Sequence, residues 1–149
     1  MPEPNVVTDA PDNTAAVDPS QPVVFFDGVC GLCNRTVNFL LARDTRRRLK
    51  FAPLQGSTAR AVLPADVRSS LDTLVLAHRG RLFYRSTAVV RTLMLLTGVW
   101  HVVGWLLWLI PSPLRNAGYR MVSALRYRIW GRTEACRLPT PEERSQFLE

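Results

Sequence analysis

The chain has 149 residues, is 47% hydrophobic, and carries a formal net charge of +7 with three cysteines. That length and apolar content suit one domain with its own core, and three cysteines exclude a disulfide scaffold of the small secreted kind. The positive excess is almost all arginine, with Lys50 the single lysine; it permits attraction to nucleic acid, anionic lipid or acidic proteins and by itself selects none of them.

Residues 1–22 are rich in proline, aspartate and small polar residues and hold no apolar block. They read as a disordered leader. The leader lacks the basic and apolar regions of a signal peptide, so the expected location is the cytoplasm, where thiols stay mostly reduced.

Val23-Val24-Phe25-Phe26 is a short β-branched and aromatic run, the pattern of a strand buried on both faces. Asp27-Gly28 punctuates it as a turn. Cys30 and Cys33 follow with C-x-x-C spacing, and Cys33, Val37, Leu40 and Leu41 then recur on one face of an amphipathic helix. The two thiols therefore sit where a strand hands over to a helix. Unpaired N–H groups and the positive end of the helix dipole favour an anion there, and cysteine pKa values fall at such positions. The expectation is Cys30 as the attacking thiolate and Cys33, one turn on and facing the core, as the resolving thiol. Asp27 is either a proton acceptor for Cys33 or a turn and cap residue. A C-x-x-C beside a βαβ pattern reads as a thioredoxin-like redox motif.

Three other readings of this stretch are weaker. Structural zinc wants four ligands, and Cys136, His78 and His101 are distant and unpaired at ligand spacing, so no metal is expected. Two inert buried cysteines would leave the strand-to-helix placement a coincidence. The run Phe-Phe-Asp-Gly also resembles the nucleophile loop of haloacid-dehalogenase-type phosphatases, but the nucleophile position falls on Phe25, which cannot attack phosphate.

Farther along, Arg46-Arg47-Arg48 closes the first helix, where cations complement its C-terminal dipole. Leu49 to Leu54 reads as a second strand ended by Pro53, which completes a right-handed βαβ unit. A short helix is expected over Thr58 to Leu63. Leu71 to Ala77 and Arg81 to Tyr84 are strand-like runs around His78-Arg79-Gly80, the pattern of a hairpin. Ser86 is placed to cap the next helix and Gly98 to end it. The order is β-α-β, then β-β-α.

Val99 to Ile110 is the most apolar segment. Joined to Leu93–Leu96 it makes about eighteen residues without a formal charge, but Thr97-Gly98, His101 and Gly104 interrupt that run, so two helices broken at Gly98 fit better than a membrane span. From Leu114, the residues Gly118, Met121, Val122, Leu125 and Ile129 continue one helical face, with Arg115, Arg120, Arg126 and Arg128 on much of the remainder. Such a basic amphipathic helix suits a membrane surface, an acidic partner, or simply the solvated edge of a domain. Thr140-Pro141-Glu142-Glu143 resembles the start of a short tail helix.

Asp27-Gly28-x-Cys30-x-x-Cys33 after an apolar strand resembles the signature of the DCC family of thiol-disulfide oxidoreductases. Tyr84-Arg85-Ser86-Thr87-Ala88 and Arg126-Tyr127-Arg128-x-Trp130-Gly131, with Cys136-Arg137-x-Pro139, extend the resemblance over about Pro22 to Pro139. It implies disulfide exchange through Cys30 and Cys33. It also makes Ser86 and its neighbours a candidate wall of the site, in place of the cis-proline of thioredoxin-like proteins, because Ser69-Ser70 rather than proline precedes Leu71. The match at Cys136 raises a second resolving thiol, against the alternative of a small buried gap-filler.

The sequence thus predicts one α/β domain of thioredoxin-like type over 23–139 with additional C-terminal helices, and a tail over 140–149. It implies no organic cofactor. The expected partner is a protein or small disulfide, with peripheral membrane association an alternative and no specific nucleic acid. The competing function is a non-catalytic adaptor that uses the Trp-rich and Arg-rich helices.

Overall fold

The computed structural model describes residues 6–7, 20–28, 30–69, 74–129 and 140–148. Five strands form one sheet: β1 (Val6–Val7), β2 (Val23–Phe26), β3 (Lys50–Pro53), β4 (Val75–His78) and β5 (Arg81–Tyr84), in the order β1-β5-β4-β2-β3. β2 runs parallel to β3 and antiparallel to β4, and β4 pairs antiparallel with β5. Helix α1 (Gly31–Arg43) joins the parallel pair and α4 (Arg85–Leu95) follows the hairpin. Leaving out the two-residue edge strand β1, this is the thioredoxin-like arrangement expected from the sequence.

The alternation within β2 shows how the sheet is buried twice. Val24 and Phe26 join Val37 and Leu40 of α1, Phe51 of β3 and Leu93 of α4 in one cluster. Val23 and Phe25 point the other way, into a cluster with Ala59, Val62 and Leu63 of the short helix α2 (Ser57–Val62) and its end. Each of these apolar side chains stabilises the fold by about 1.5–3 kcal/mol when fully buried, so β2 is the axis of both cores.

Several boundaries differ from the sequence reading. Val6–Val7, within the expected leader, pair antiparallel with Phe83 and Leu82 of β5. A second short helix, α3 (Ala65–Ser69), follows α2. The hairpin turns on Arg79 and Gly80, both at positive φ (53° and 73°), the geometry of a two-residue type I′ loop. Ser86 does not cap α4: Tyr84 holds the cap position, without a side-chain cap bond, and Ser86 is buried in the first turn. Leu96 ends α4, and Gly98, at φ 71°, starts α5 (Val99–Trp108).

α6 (Ser112–Ile129) completes the helices. Arg115, expected on its solvated side, is only 8% exposed and lies over the Trp108 ring at 5.4 Å. The tail is tied into the sheet. The Glu143 carboxylate accepts from the Thr140 N–H at 3.1 Å, the reciprocal arm of a capping box. A 3-10 turn over Arg144–Gln146 follows, after which the Leu148 N–H donates to the Phe51 carbonyl at 2.8 Å.

Candidate functional site

Cys30 is the N-cap of α1, with extended backbone (φ −87°, ψ 123°) and no side-chain cap bond. Its carbonyl accepts the first helical hydrogen bond from Asn34 N–H at 3.0 Å, and its own N–H donates to the Asp27 carbonyl at 3.2 Å. A compact turn between the end of β2 and the helix thus places Cys30 at the N-terminus of α1, the positive end of the helix dipole. Cys33 lies one turn inside α1, half-buried, packed against the cluster that contains Val37 and Leu40. Both residues are present as thiols.

Two side-chain amides hold this turn. Gln55, just past β3, donates from Nε2 to Asp27 Oδ1 at 3.0 Å and accepts from the Gly28 N–H at 3.3 Å. Asn34 donates from Nδ2 to the Gly28 carbonyl at 3.2 Å. Asp27 is 1% exposed, and a buried carboxyl group needs such hydrogen-bond partners. The sequence reading passed over Gln55 and Asn34. The available signal was topological: residues just past two neighbouring parallel strands come together at one end of the sheet.

Strand register places the second candidate segment at that same end. Phe25 pairs with Val75, and Val75 pairs with Tyr84. The start of α4 therefore emerges two strands from the start of α1, about 10 Å across the sheet. Arg85 takes φ 55° there, with its N–H donating to the Leu74 carbonyl at 3.1 Å. Ser86 Oγ bonds Asn116 Oδ1 of α6 at 2.5 Å, and Tyr119 of α6 accepts from the Leu74 N–H at 2.9 Å. Thr87 is fully buried, and its Oγ1 has no hydrogen-bond partner among the described residues. The structure thus gathers Asp27, Cys30, Cys33 and Ser86 at one end of the sheet, with α6 braced against it.

Access to the two thiols runs opposite to the simplest expectation, since Cys30 is 0% exposed and Cys33 is the more accessible. Cys136 and the Trp130–Pro139 part of the resemblance lie outside the described residues, as do residues 70–73. Among the described residues no group of three or more His, Cys, Asp or Glu is placed to hold a metal.

Comparison with known proteins converges on one family. A family model described as DCC1-like thiol-disulfide oxidoreductase matches residues 24–132. The chain is 33% identical over 131 residues to the uncharacterized protein YuxK of Bacillus subtilis (strain 168), covering 85% of this chain and 93% of that protein. It is 29% identical over 120 residues to the DCC family protein At1g52590, chloroplastic, of Arabidopsis thaliana, covering 79% and 70%. No solved structure matches.

Proposed function

The chain belongs to the DCC1-like thiol-disulfide oxidoreductase family, and on that premise we propose that it exchanges disulfides through Cys30 and Cys33. The observation that carries this reading is the position of Cys30 as the N-cap of α1 just after the interior strand β2, with Cys33 one turn inside the same helix.

The chemistry balances as two successive displacements. The Cys30 thiolate attacks one sulfur of a substrate disulfide, forms a mixed disulfide and expels the other sulfur as a thiolate. Cys33, losing its proton to solvent or a neighbouring base, attacks Cys30 Sγ and expels the second substrate thiolate. Two electrons pass from the protein dithiol to the substrate, which ends as two thiols once protonated, and the protein is left with a Cys30–Cys33 bond. The reverse sequence oxidises a dithiol. Asp27, held at Oδ1 by Gln55, shapes the turn that carries Cys30. Because Cys30 is buried, attack requires local opening at this end of the sheet, the kind of low-energy fluctuation on which binding sites depend.

The test is a redox titration read by alkylation mass shift. A reversible two-electron couple confined to Cys30 and Cys33 is expected at about −270 to −180 mV, the range from thioredoxin to protein disulfide isomerase. The Cys33→Ser variant should accumulate a mixed disulfide at Cys30. A Cys30–Cys33 pair that never oxidises across that range would leave the protein without this activity.

A further inference from the structure

We propose that the outer faces of α5 and α6, together with the arginine-lined cavity beside α5, form a docking surface for an anionic lipid bilayer. The proposal stands apart from the redox reading and rests on where this fold leaves its apolar surface and its charge.

Every exposed large hydrophobic residue among the described residues lies on these two helices or at the C-cap of α5. On α5 and its C-cap they are Val99, Val102, Trp105, Leu106 and Leu109, which fall within one arc of about 120° at helical spacing. Trp105 is 50% exposed and Leu109 76%. The opposite side of α5, with Trp100, Val103 and Leu107, packs on the core. Apart from His101 this helix is therefore apolar on both sides yet buried on one only, a pattern proper to a helix whose second side meets another apolar phase. On α6 the exposed residues Leu114, Met121, Val122, Leu125 and Ile129 form a second stripe. A groove of about 360 Å³, lined by Leu107, Ile110, Leu114 and Gly118 among others, lies between the helices, so the α6 stripe opens onto a groove that α5 borders.

Charge decides what covers this face. From residue 73 to 133 the sequence has nine arginines and no aspartate or glutamate, so this segment carries +9 and the rest of the chain is net acidic. Next to the α5 stripe is a cavity of about 700 Å³ lined by His78, Arg79, Arg81, Arg91, His101 and Trp105, among others, with no acidic residue in its wall. Arg91 there has its Nε buried without a hydrogen-bond partner among the described residues. Burial, and then Arg79 and Arg91, hold the His78 pKa below its usual value, as an uncompensated positive cavity should. Trp105 Nε1–H donates to His101 Nε2 at 3.0 Å, which leaves His101 Nδ1 to donate to the Met94 carbonyl at 2.6 Å. The indole thus has a satisfied polar end and an exposed apolar body, the form suited to a membrane interface.

A second copy of the chain would set arginines against arginines across the face. A nucleic acid would neutralise the charge and leave the apolar stripes in water. An anionic bilayer answers both features, with lipid phosphates at the arginine cavity and acyl chains against the stripes. No helix among the described residues is long and apolar enough to cross a membrane, so α5 and α6 would lie in the plane of the interface.

The test is flotation of the full-length protein with vesicles of phosphatidylcholine alone and of phosphatidylcholine with phosphatidylglycerol. Flotation is expected with the anionic vesicles only. Leu106→Glu with Leu109→Glu should abolish it, and Arg79→Gln with Arg81→Gln should weaken partitioning about thirtyfold, at about 1 kcal/mol per cation. All four side chains are exposed, so thermal melts of both variants should match the parent. A Cys30→Ser, Cys33→Ser double variant should float like the parent, which separates this outcome from the redox reading. Failure to float with anionic vesicles overturns the proposal, as does flotation of the Leu106→Glu, Leu109→Glu variant. A parent dimer in sedimentation equilibrium that the same variant dissolves would give the face to a second copy, and binding to a DNA duplex but not to vesicles would give it to nucleic acid.

Discussion

Gln55 offers the sharpest test of how the candidate site is built. Its amide spans Asp27 Oδ1 at 3.0 Å and the Gly28 N–H at 3.3 Å, and Asp27 is buried. A hydrogen bond to a charged group contributes about 1.5–3 kcal/mol and one to a backbone N–H about 0.5–1.5 kcal/mol. Gln55→Ala should therefore cost about 2–4 kcal/mol. At about 2–4 °C per kcal/mol for a chain of this size, the melting temperature should fall by about 5–15 °C. Gln55→Glu keeps the volume but sets a second carboxylate against the first. At about 4 Å and an effective dielectric of 20 the repulsion is about 4 kcal/mol, so this variant should be the less stable of the two at neutral pH. The assay is thermal and urea unfolding at neutral pH, with the alkylation rate of Cys30 followed in parallel. A loosened turn should speed labelling of this buried thiol. A Gln55→Ala variant that melts within about 1 °C of the parent and labels no faster would refute the idea that this amide holds the site together.

Two further outcomes follow from packing and from charge. Gly104→Ala should destabilise by about 1–3 kcal/mol, because a Cβ there would meet Met94 N and Cγ at 2.8 Å; Gly118→Ala, with nothing within 4 Å, should gain about 0.5–1 kcal/mol in helix α6, and urea unfolding of the pair reads both signs. His78 has a folded pKa below 6.5, from burial and then from Arg79 and Arg91, so the unfolded chain binds its proton first; stability should fall as the pH drops through 6.5 and level off below the folded value, and His78→Gln should remove that component from the pH profile.

The thioredoxin-like order was legible because each of its signals is local. The doubly buried run at Val23–Phe26, the C-x-x-C at a strand-to-helix handover and the glycine turn at Gly80 each fix one element, and short connections leave few ways to assemble them. What escaped the sequence is contact between distant segments. Gln55 and Asp27 are 28 residues apart, and their pairing depends on two parallel strands ending side by side. Ser86 has the residue type of a helix cap, yet tertiary structure recruits its hydroxyl to Asn116, 30 residues on. The apolar face of α6 was read correctly as a face, but amphipathic spacing says which residues share a side and not whether that side is covered. Val6–Val7 are too few for periodicity to register and gain their strand only from the free edge of β5.

The conformational costs in this chain also have a spatial order. Among the described residues three that are not glycine take positive φ: Arg47, Arg79 and Arg85. Arg79 is explained by its two-residue hairpin turn, which demands that geometry whatever residue stands there. Arg47 lies in the loop after α1, where the Asp44 carbonyl accepts its N–H at 3.0 Å. Arg85 is different, because it stands at the junction of β5 and α4, two strands from Cys30. It is followed by Ser86, committed to Asn116, and by Thr87, buried with its Oγ1 unpaired among the described residues. A left-handed non-glycine residue and an unpaired buried hydroxyl each cost on the order of 1–3 kcal/mol. Spread at random, such costs would be easily removed by substitution. Here they lie at the same end of the sheet as the turn that carries Cys30, on the segment that resembles the family pattern Tyr84-Arg85-Ser86-Thr87-Ala88, and α6 braces that segment through Asn116 and the segment before β4 through Tyr119. Strain held in place by surrounding structure at one end of the sheet is what a preorganised site requires, and under the proposed function it makes the start of α4 the candidate second wall for a site at Cys30.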